Sequence, residues 1–389
     1  MALYDPYDWQ THEDPYPAYR RLREKAPVYH NAERGFFALS RYHDVLAAFR
    51  DTARLSNEEG VAIEQIGRAR ETMSFLGMDP PDHTRLRSLV SSGFTPRRVR
   101  ELEPRIRELA THYIDQFIDR GECEFIGEFA GRLPMDVISE MLGVPETDRD
   151  TLRAWSDLVL HRDEGKQEVP PEGLAAAAKL VQYFVELVAR RRVKPEDDLT
   201  DALIAAKIEG DRLEDADIIG FLFLMVIAGN ETTTKLLGNA FYWGCRNPSQ
   251  LALVQADPGL IPDWAEETLR YDPSSQLIAR AAVTDIELHG QVIPKGGRVA
   301  LLIGSANRDE RYWKDPDVYD VGRDTTGSLS FGQGTHFCLG ASLARLEARV
   351  SLEELLRRLG DFAVRPEGLE RMHSANVRGF SALPLEFSR

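Results

Sequence analysis

The sequence has few cysteines, and they form none of the patterns that bind zinc or build a disulfide framework. Three occur among 389 residues, at Cys123, Cys245 and Cys338, and they are far apart. An odd number of cysteines at these spacings predicts neither a disulfide scaffold nor a Cys-x-x-Cys metal site. Disulfides are rare in reducing compartments, so we expect a cytoplasmic protein.

Long hydrophobic runs are also missing. The longest nearly uninterrupted apolar run, residues 218–229, is shorter than the ~20 residues that span a bilayer. The first nine residues lack the basic start and apolar core of a signal peptide. We therefore expect a soluble protein without a membrane anchor.

The sequence has fewer basic than acidic residues: 48 Lys and Arg against 63 Asp and Glu, for a formal net charge of −15. Binding to nucleic acid needs a basic surface, so this composition excludes a nucleic-acid partner as the main function. With 43% hydrophobic and 29% charged residues the chain can bury a core. No linker-like stretch divides it, and we predict a single domain over residues 1–389.

One of the cysteines lies in a glycine-rich loop. Cys338 follows Gly332 and Gly334 and precedes Gly340, and residues 341–345 predict the start of a helix. Glycines let the loop fold tightly around the sulfur. Free N–H groups at a helix start favour a thiolate, which is a strong iron ligand. Taken alone, a single intracellular cysteine also fits a small buried apolar side chain.

A second feature is a helix predicted over residues 214–246 and closed by Asn247 and Pro248. Its apolar run 218–227 has little polar face, which predicts burial. Small residues and threonines then follow at 228–234. Threonine hydroxyls can bond back to a carbonyl one turn earlier, so we expect the helix to open locally there. The alternative is a frayed helix with polar groups on the surface.

Two pairs of residues carry weaker signals. His83 and Arg87 lie four apart, after an Asp-Pro-Pro helix start, and therefore share one helix face. Glu267 and Arg270 lie three apart on another predicted helix. A solvated basic face and a surface ion pair are the ordinary alternatives for these two pairs.

The spacing Phe-x-x-Gly-x-x-x-Cys-x-Gly, formed by Phe331, Gly334, Cys338 and Gly340, resembles the haem-binding loop of the cytochrome P450 family. Residues 228–232 resemble the family's Ala-Gly-x-Glu-Thr motif, and residues 267–270 its Glu-x-x-Arg motif. The resemblance extends from about residue 14 to the end of the chain. It implies the cytochrome P450 fold, which is mainly α with a small β region.

The resemblance also implies a role for each matching residue. Cys338 corresponds to the axial thiolate ligand of the iron of haem b. Glu231 and Thr232 correspond to the acid and alcohol that relay protons during oxygen activation. The residues that match contacts to the haem propionates are His83, Arg87, Arg280 and His336. The other matching cofactor contacts are Phe331, Gly334, Gly340, Ala228 and Gly229. The residues that match a structural cluster behind the haem loop are Glu267, Arg270 and Arg323.

The implied activity is monooxygenation of a hydrophobic small molecule by a monomer that uses O2 as co-substrate. The chain shows no flavin or nicotinamide domain, so electrons are expected from a separate ferredoxin and its reductase. The arginine-rich stretch 97–107 could dock that partner, or it could be a solvated face. Two alternatives are a peroxide-driven haem peroxygenase, which would not need the relay of Glu231 and Thr232, and a non-catalytic haem-binding or ligand-binding protein.

Overall fold

The computed structural model describes residues 2–64, 69–208 and 211–388. The helices are α1 (Trp9–Glu13), α2 (Tyr16–Lys25), α3 (Tyr42–Arg50), α4 (Ala69–Met73), α5 (Asp82–Ser91), α6 (Pro96–Glu101), α7 (Glu103–Phe117), α8 (Leu133–Leu142), α9 (Glu146–Leu160), α10 (Pro171–Val193), α11 (Leu199–Ala205), α12 (Asp215–Arg246), α13 (Pro248–Ala256), α14 (Ile261–Tyr271), α15 (Ile303–Ala306) and α16 (Ala341–Arg358). A π-helical turn covers Ile126–Ala130.

The strands are short. They are β1 (Val28–Asn31), β2 (Phe36–Leu39), β3 (Leu55–Ser56), β4 (Glu122–Glu124), β5 (Lys207–Ile208), β6 (Asp211–Arg212), β7 (Leu277–Ala282), β8 (Ile286–Leu288), β9 (Gln291–Ile293), β10 (Arg298–Leu302), β11 (Phe362–Val364), β12 (Glu370–Arg371), β13 (Phe380–Ala382) and β14 (Pro384–Phe387). The largest sheet has the order β1-β2-β10-β7-β3, and β2 and β10 are its parallel pair. The chain is therefore mainly α with a small β region, as predicted.

The helix α12 organises the helical part of the molecule. It packs against α4, α8, α10, α14 and α16. Its first half is buried on nearly every side from Ile218 to Val226, as the continuous apolar run predicted. Asn247 ends the helix, and Pro248 begins α13, because proline is well tolerated in a first helical turn.

The length and composition of α12 would also allow it to cross a membrane. It is the one such helix in the described ranges, and 61% of its most apolar window is buried inside the protein. A helix covered in this way by other helices is a core helix of the fold.

Two other elements position the site. The strand β7 runs antiparallel to β10, and this register places Arg280 opposite Val299 in the middle of the largest sheet. The helix α16 starts at Ala341, three residues after Cys338. The helices α9 and α10 pack against each other and are joined by the polar loop 161–170, where the sequence predicted an exposed connection.

Candidate functional site

The loop around Cys338 is folded back on itself. The Cys338 N–H donates to the Phe331 carbonyl at 2.8 Å, and Gly332 and Gly334 have φ of +70° and +71°. Positive φ favours glycine, because a side chain would strain the backbone there. A Cβ on Gly334 would also lie 3.3 Å from the Phe49 carbonyl oxygen, so the loop packs closely onto the end of α3. The glycine pattern in the sequence thus has a steric cause.

The Cys338 side chain is exposed although the loop lies within the protein. Burial among protein atoms raises the pKa of the Cys338 thiol. The N–H groups of Gly340 and Ala341 oppose this rise, as do the charges of Arg87 and Arg345. The expected preference for thiolate is therefore not met by the polypeptide alone, because desolvation outweighs the helix start. A bound metal cation would supply the missing charge, since coordination deprotonates a thiol.

The four residues predicted to contact propionates form what we call the cationic cluster: His83, Arg87, Arg280 and His336. The rings of His83 and His336 lie 4.2 Å apart between centroids. Both ring nitrogens of each histidine lack a hydrogen-bond partner, as do Nε and Nη2 of Arg280. Arg280 uses only Nη1, which donates to the Ala48 carbonyl at 2.9 Å, and Arg87 donates to the Phe337 carbonyl.

Charge in this cluster is uncompensated. Within the described ranges neither Arg87 nor Arg280 forms a salt bridge, although Arg280 is fully buried. Burial, followed by repulsion from neighbouring cations, lowers the pKa of His83 to about 4 and that of His336 to about 3. Burial likewise lowers the pKa of Arg280 to about 10. Arg280 is a buried cation with free donors, Arg87 is a second cation beside it, and the ring nitrogens of the two uncharged histidines have no partner, which fits a ligand that carries two carboxylates, as haem does.

Gly340 gives a further sign of space for a ligand. It is the N-cap of α16, its φ is −83°, and a Cβ built on it would meet no atom within 4 Å. Neither backbone strain nor a protein contact therefore requires glycine here. A group lying against the loop would explain why a side chain is absent. Phe331 instead contacts Arg345, whose guanidinium lies 4.5 Å from the ring centre, and so supports the loop from the protein side.

The polar stretch of α12 remains helical. The structure shows α-helix throughout Asp215–Arg246, so the predicted local opening is not found. The predicted hydrogen bond from a threonine hydroxyl to a carbonyl one turn earlier is present, because Thr232 Oγ1 donates to the Ala228 carbonyl at 2.8 Å. Ala228 is exposed and Thr232 half-buried, whereas most of the helix before them is buried. These two residues therefore line open space, while a Cβ on Gly229 would contact Ile138 of α8 at 3.4 Å.

Glu231 is buried and belongs to a charged group that the sequence did not reveal. Its Oε2 lies 3.1 Å from Nζ of Lys235, with both side chains no more than 3% exposed. Its Oε1 accepts a hydrogen bond from Asn230 at 2.9 Å. Asp157 of α9 interacts with the same carboxyl, and burial together with the Glu231 charge raises the pKa of Asp157. Lys235 could have been suspected from its position one turn after Glu231, but Asp157 lies far away in sequence.

The predicted structural cluster is fully assembled. Arg270 holds Glu267 through two hydrogen bonds of 2.7 and 2.8 Å, and both side chains are completely buried. Arg270 also donates to the carbonyls of Asn307 and Pro316, at 2.9 and 3.0 Å. Arg323 lies 3.5 Å from Glu267. These contacts fix the segment that leads into the Cys338 loop.

The arginine-rich stretch is partly neutralised. Arg105 pairs with Glu140 at 2.7 Å, and Arg107 pairs with Glu353 and Glu354 at 2.7 Å each. Arg97, Arg98 and Arg100 on α6 are exposed, and Arg97 contacts Glu101 within the helix. The helix α6 packs against α16, the helix that follows the Cys338 loop in the chain.

Comparison with known proteins gives matches along the whole chain. The family model described as Cytochrome P450 matches residues 261–385. A cytochrome P450 123 of Mycobacterium tuberculosis is 55% identical over 385 residues, covering 98% of this chain and 96% of the relative. A protein named Vitamin D(3) 25-hydroxylase, from Pseudonocardia autotrophica, is 40% identical over 393 residues, covering 97% of this chain and 94% of its own length.

A solved structure supports the same relationship. The crystal structure of CYP109E1 from Bacillus megaterium in complex with testosterone superposes with a TM-score of 0.91 at 30% sequence identity. The match covers 98% of this chain and 99% of the other. Sequence and fold therefore agree over nearly the full length.

Proposed function

The chain belongs to the cytochrome P450 family of haem monooxygenases, and from this we propose that it inserts one oxygen atom of O2 into a hydrophobic small molecule, by hydroxylation or epoxidation. The observation that carries the proposal is the exposed Cys338 near a cationic cluster whose two arginines form no salt bridge with any of the described residues. A monomer with a single domain over residues 1–389, in the cytoplasm, is part of the same proposal.

The residues present fit haem b as the cofactor. Cys338 would bind the iron, and the cationic cluster would hold the two propionates. The negatively charged propionate oxygens would be the acceptors for the donors of this cluster that have no partner in the protein. When bound, haem supplies the activation of O2 through its thiolate-ligated iron. The buried pair of Glu267 and Arg270 keeps the Cys338 loop in place, because it ties α14 to the segment before that loop.

The polar stretch of α12 is suited to handling protons. Thr232 Oγ1 is held on the Ala228 carbonyl, next to open space, and can pass a proton through its hydroxyl. Glu231 is the neighbouring acid, and Lys235 holds its carboxylate in the interior. We propose that Thr232 presents protons to the reaction and that Glu231 supplies them.

The relatives favour steroid-like substrates as the first to test. One relative carries the name Vitamin D(3) 25-hydroxylase, and one solved neighbour holds testosterone. We propose a ferredoxin as the electron donor, with Arg97, Arg98 and Arg100 as its contact surface. These cations are exposed beside α16, and attraction between opposite charges speeds the encounter of redox partners.

Reconstitution tests the proposed function. The haem-loaded protein, a ferredoxin, its reductase and NADPH are combined, and vitamin D3, testosterone and long-chain fatty acids are screened for a spin-state shift of the haem. Compounds that bind should yield a product containing one oxygen atom from labelled O2. Product formed with hydrogen peroxide but not with NADPH would identify the peroxygenase instead, and bound haem without product by either route would favour the non-catalytic alternative.

The cysteine ligand has a matched control. Cys338→His should abolish the strongly red-shifted Soret band of the reduced, CO-bound protein, and should abolish product formation with it. Cys245→Ser, at a half-buried thiol far from the loop in sequence, should keep both. An unchanged band in Cys338→His would refute the assignment of the ligand.

A further inference from the structure

A cavity of about 730 Å³, lined by both apolar and charged residues, lies beside α12 and reaches Glu231. It is bounded by α9, by α12 and by residues 369–373 near the end of the chain. Its lining runs from exposed residues, such as Glu370 and Ser381, to the buried Glu231 and Lys235. At about 30 Å³ per molecule it has room for ~20 waters, so it can connect solvent to the Glu231 carboxyl.

Asp157 stands between this cavity and Glu231. Its side chain is exposed within the cavity, which it lines together with Glu231, and the two carboxyls interact. Two carboxyls in contact share a proton, because like charges at that distance cannot both ionise without a large cost. Lys235 supplies one positive charge to this pair. One carboxylate, one carboxylic acid and one ammonium group make the set neutral.

The arrangement decides which carboxyl carries the proton. Lys235 lies against Glu231 in the interior, with its Nζ 3.1 Å from the Glu231 carboxyl. Asp157 feels the Glu231 charge, and Arg153, one turn earlier on α9, opposes that effect only in part. Arg153 also lies 3.5 Å from Asp150, which shares its charge. The other charged or titratable groups that face the cavity are Glu13, His161, Glu370, Arg371 and His373.

We propose that Asp157 is the proton donor to Glu231, and that this cavity is the route by which solvent protons reach Asp157. In each transfer the Asp157 carboxylic acid gives its proton to the Glu231 carboxylate and becomes a carboxylate itself. A water in the cavity then returns a proton to Asp157. Lys235 is a positioning residue that keeps Glu231 ready to accept. The inference rests on the proposed monooxygenase function, since Glu231 must pass its proton onward to be used.

The geometry separates this route from Thr232. The Asp157 side chain reaches Glu231 from α9, within the cavity, whereas Thr232 Oγ1 is bonded to the Ala228 carbonyl. Glu231 therefore faces Asp157 and Lys235 at the cavity, and Thr232 is the next residue along α12 but does not line the cavity. Among the carboxyl groups of the described residues that line the cavity, Asp157 is the one that interacts with Glu231.

The proton itself can be observed without turnover. Haem-loaded protein labelled with ¹³C at the aspartate side-chain carboxyl carbons is titrated by NMR, and the resonance missing in Asp157→Asn is assigned to Asp157. We expect Asp157 to be protonated at pH 7 and to ionise only above it. Lys235→Met should move its midpoint, because removing the ammonium group changes the charge on the pair. An Asp157 carboxyl that is ionised at pH 7 would overturn the proposal.

Turnover measurements give a second, distinguishable result. With the compound that produces the largest spin-state shift, Asp157→Asn should lower kcat at least ~10-fold, within the range of general acid catalysis, while KM and haem content stay unchanged. It should also raise the solvent deuterium isotope effect. Asp157→Glu should recover most of the rate, and Glu146→Gln, an exposed carboxyl on the same helix, should match wild type. Equal kcat in wild type and Asp157→Asn would overturn the proposal. An inactive wild type would instead contradict the proposed monooxygenase function, and the NMR titration would then decide whether Asp157 carries the proton.

Discussion

Replacing Arg280 by methionine should have opposite effects on the empty and the haem-loaded protein. Arg280 is completely buried, donates one hydrogen bond to the Ala48 carbonyl, and has two nitrogen atoms without partners. Methionine keeps most of the volume and removes the charge. The empty protein therefore loses an unfavourable buried cation, and the haem-loaded protein loses a propionate contact.

The size of both effects follows from the pKa of Arg280. Burial lowers it from its ordinary value to about 10, and at ~1.36 kcal/mol per pH unit the buried charge costs the empty protein about 3 kcal/mol. Both values lie above neutral pH, so Arg280 stays charged when folded or unfolded and the cost is constant around pH 7. Loss of the Ala48 hydrogen bond offsets about 1 kcal/mol of the gain.

Haem binding removes that cost and adds charge-assisted hydrogen bonds, each contributing about 1.5–3 kcal/mol. Arg280→Met should therefore weaken haem binding by at least about 3 kcal/mol, which is at least ~100-fold in affinity. We expect the empty protein to unfold in urea at the same concentration as wild type or a higher one. Transfer of haem to an excess of apomyoglobin, followed by absorbance, should become at least ~100-fold faster if association is unchanged.

Arg298→Met is the matched control, because Arg298 is a buried arginine on the neighbouring strand β10. Its guanidinium donates to the carbonyls of Ile63 and Gly60, at 3.2 and 3.0 Å, and is not part of the cationic cluster. This variant should destabilise the empty and the loaded protein alike. If Arg280→Met gives that same pattern, with unchanged haem transfer, then Arg280 is a structural donor and the reasoning is refuted.

Three further predictions follow from the same contacts. Glu267→Gln should lower the free energy of unfolding, measured by urea denaturation, by about 3–5 kcal/mol, because it leaves Arg270 charged and unpaired in the core. A much smaller loss would mean that the ion pair is dispensable. Thr232→Ala should leave haem content and compound affinity intact while less of the consumed NADPH appears as product, with Thr232→Ser restoring it; unchanged yield would reduce Thr232 to a helix contact. The empty protein should lose stability as pH falls from 6.5 through about 4, because an unfolded His83 takes up a proton before the folded one does, and His83→Gln should flatten this loss in denaturation measured at several pH values.

Local patterns in the sequence predicted the elements well. The buried helix predicted over 214–246 is found as Asp215–Arg246, because a continuous apolar run followed by Asn-Pro specifies both burial and the end of a helix. The strands β1 and β2 are close in sequence and pair as an antiparallel hairpin. It belongs to a larger sheet, however, since β10 pairs with β2 from more than 250 positions later, and no local pattern encodes that pairing.

The site was predictable to the extent that its residues lie in short motifs. Cys338, Glu231 and Thr232 could be identified in this way, but the partner that comes from another helix could not. Asp157 is an ordinary acidic residue in α9 until the fold places it against Glu231. The helix around Thr232 also stayed regular, because the hydroxyl bonds to the Ala228 carbonyl without breaking the backbone ladder.

Two of the buried charged clusters in the described part of the chain differ in how their charges are paired, and the difference indicates which one serves a ligand. Around Glu267, one carboxylate accepts hydrogen bonds from Arg270 and the backbone of Asp320, and Arg323 lies 3.5 Å away, so the charges are paired within the protein. The cationic cluster has donors without acceptors, although leaving buried polar groups unpaired is costly. A fold that can complete one cluster so thoroughly has no structural need to leave the other open. Binding of two carboxylates therefore removes the free-energy cost that the cationic cluster imposes on the empty protein. For this reason we expect the same four residues to lower the stability of the empty protein and to retain its cofactor.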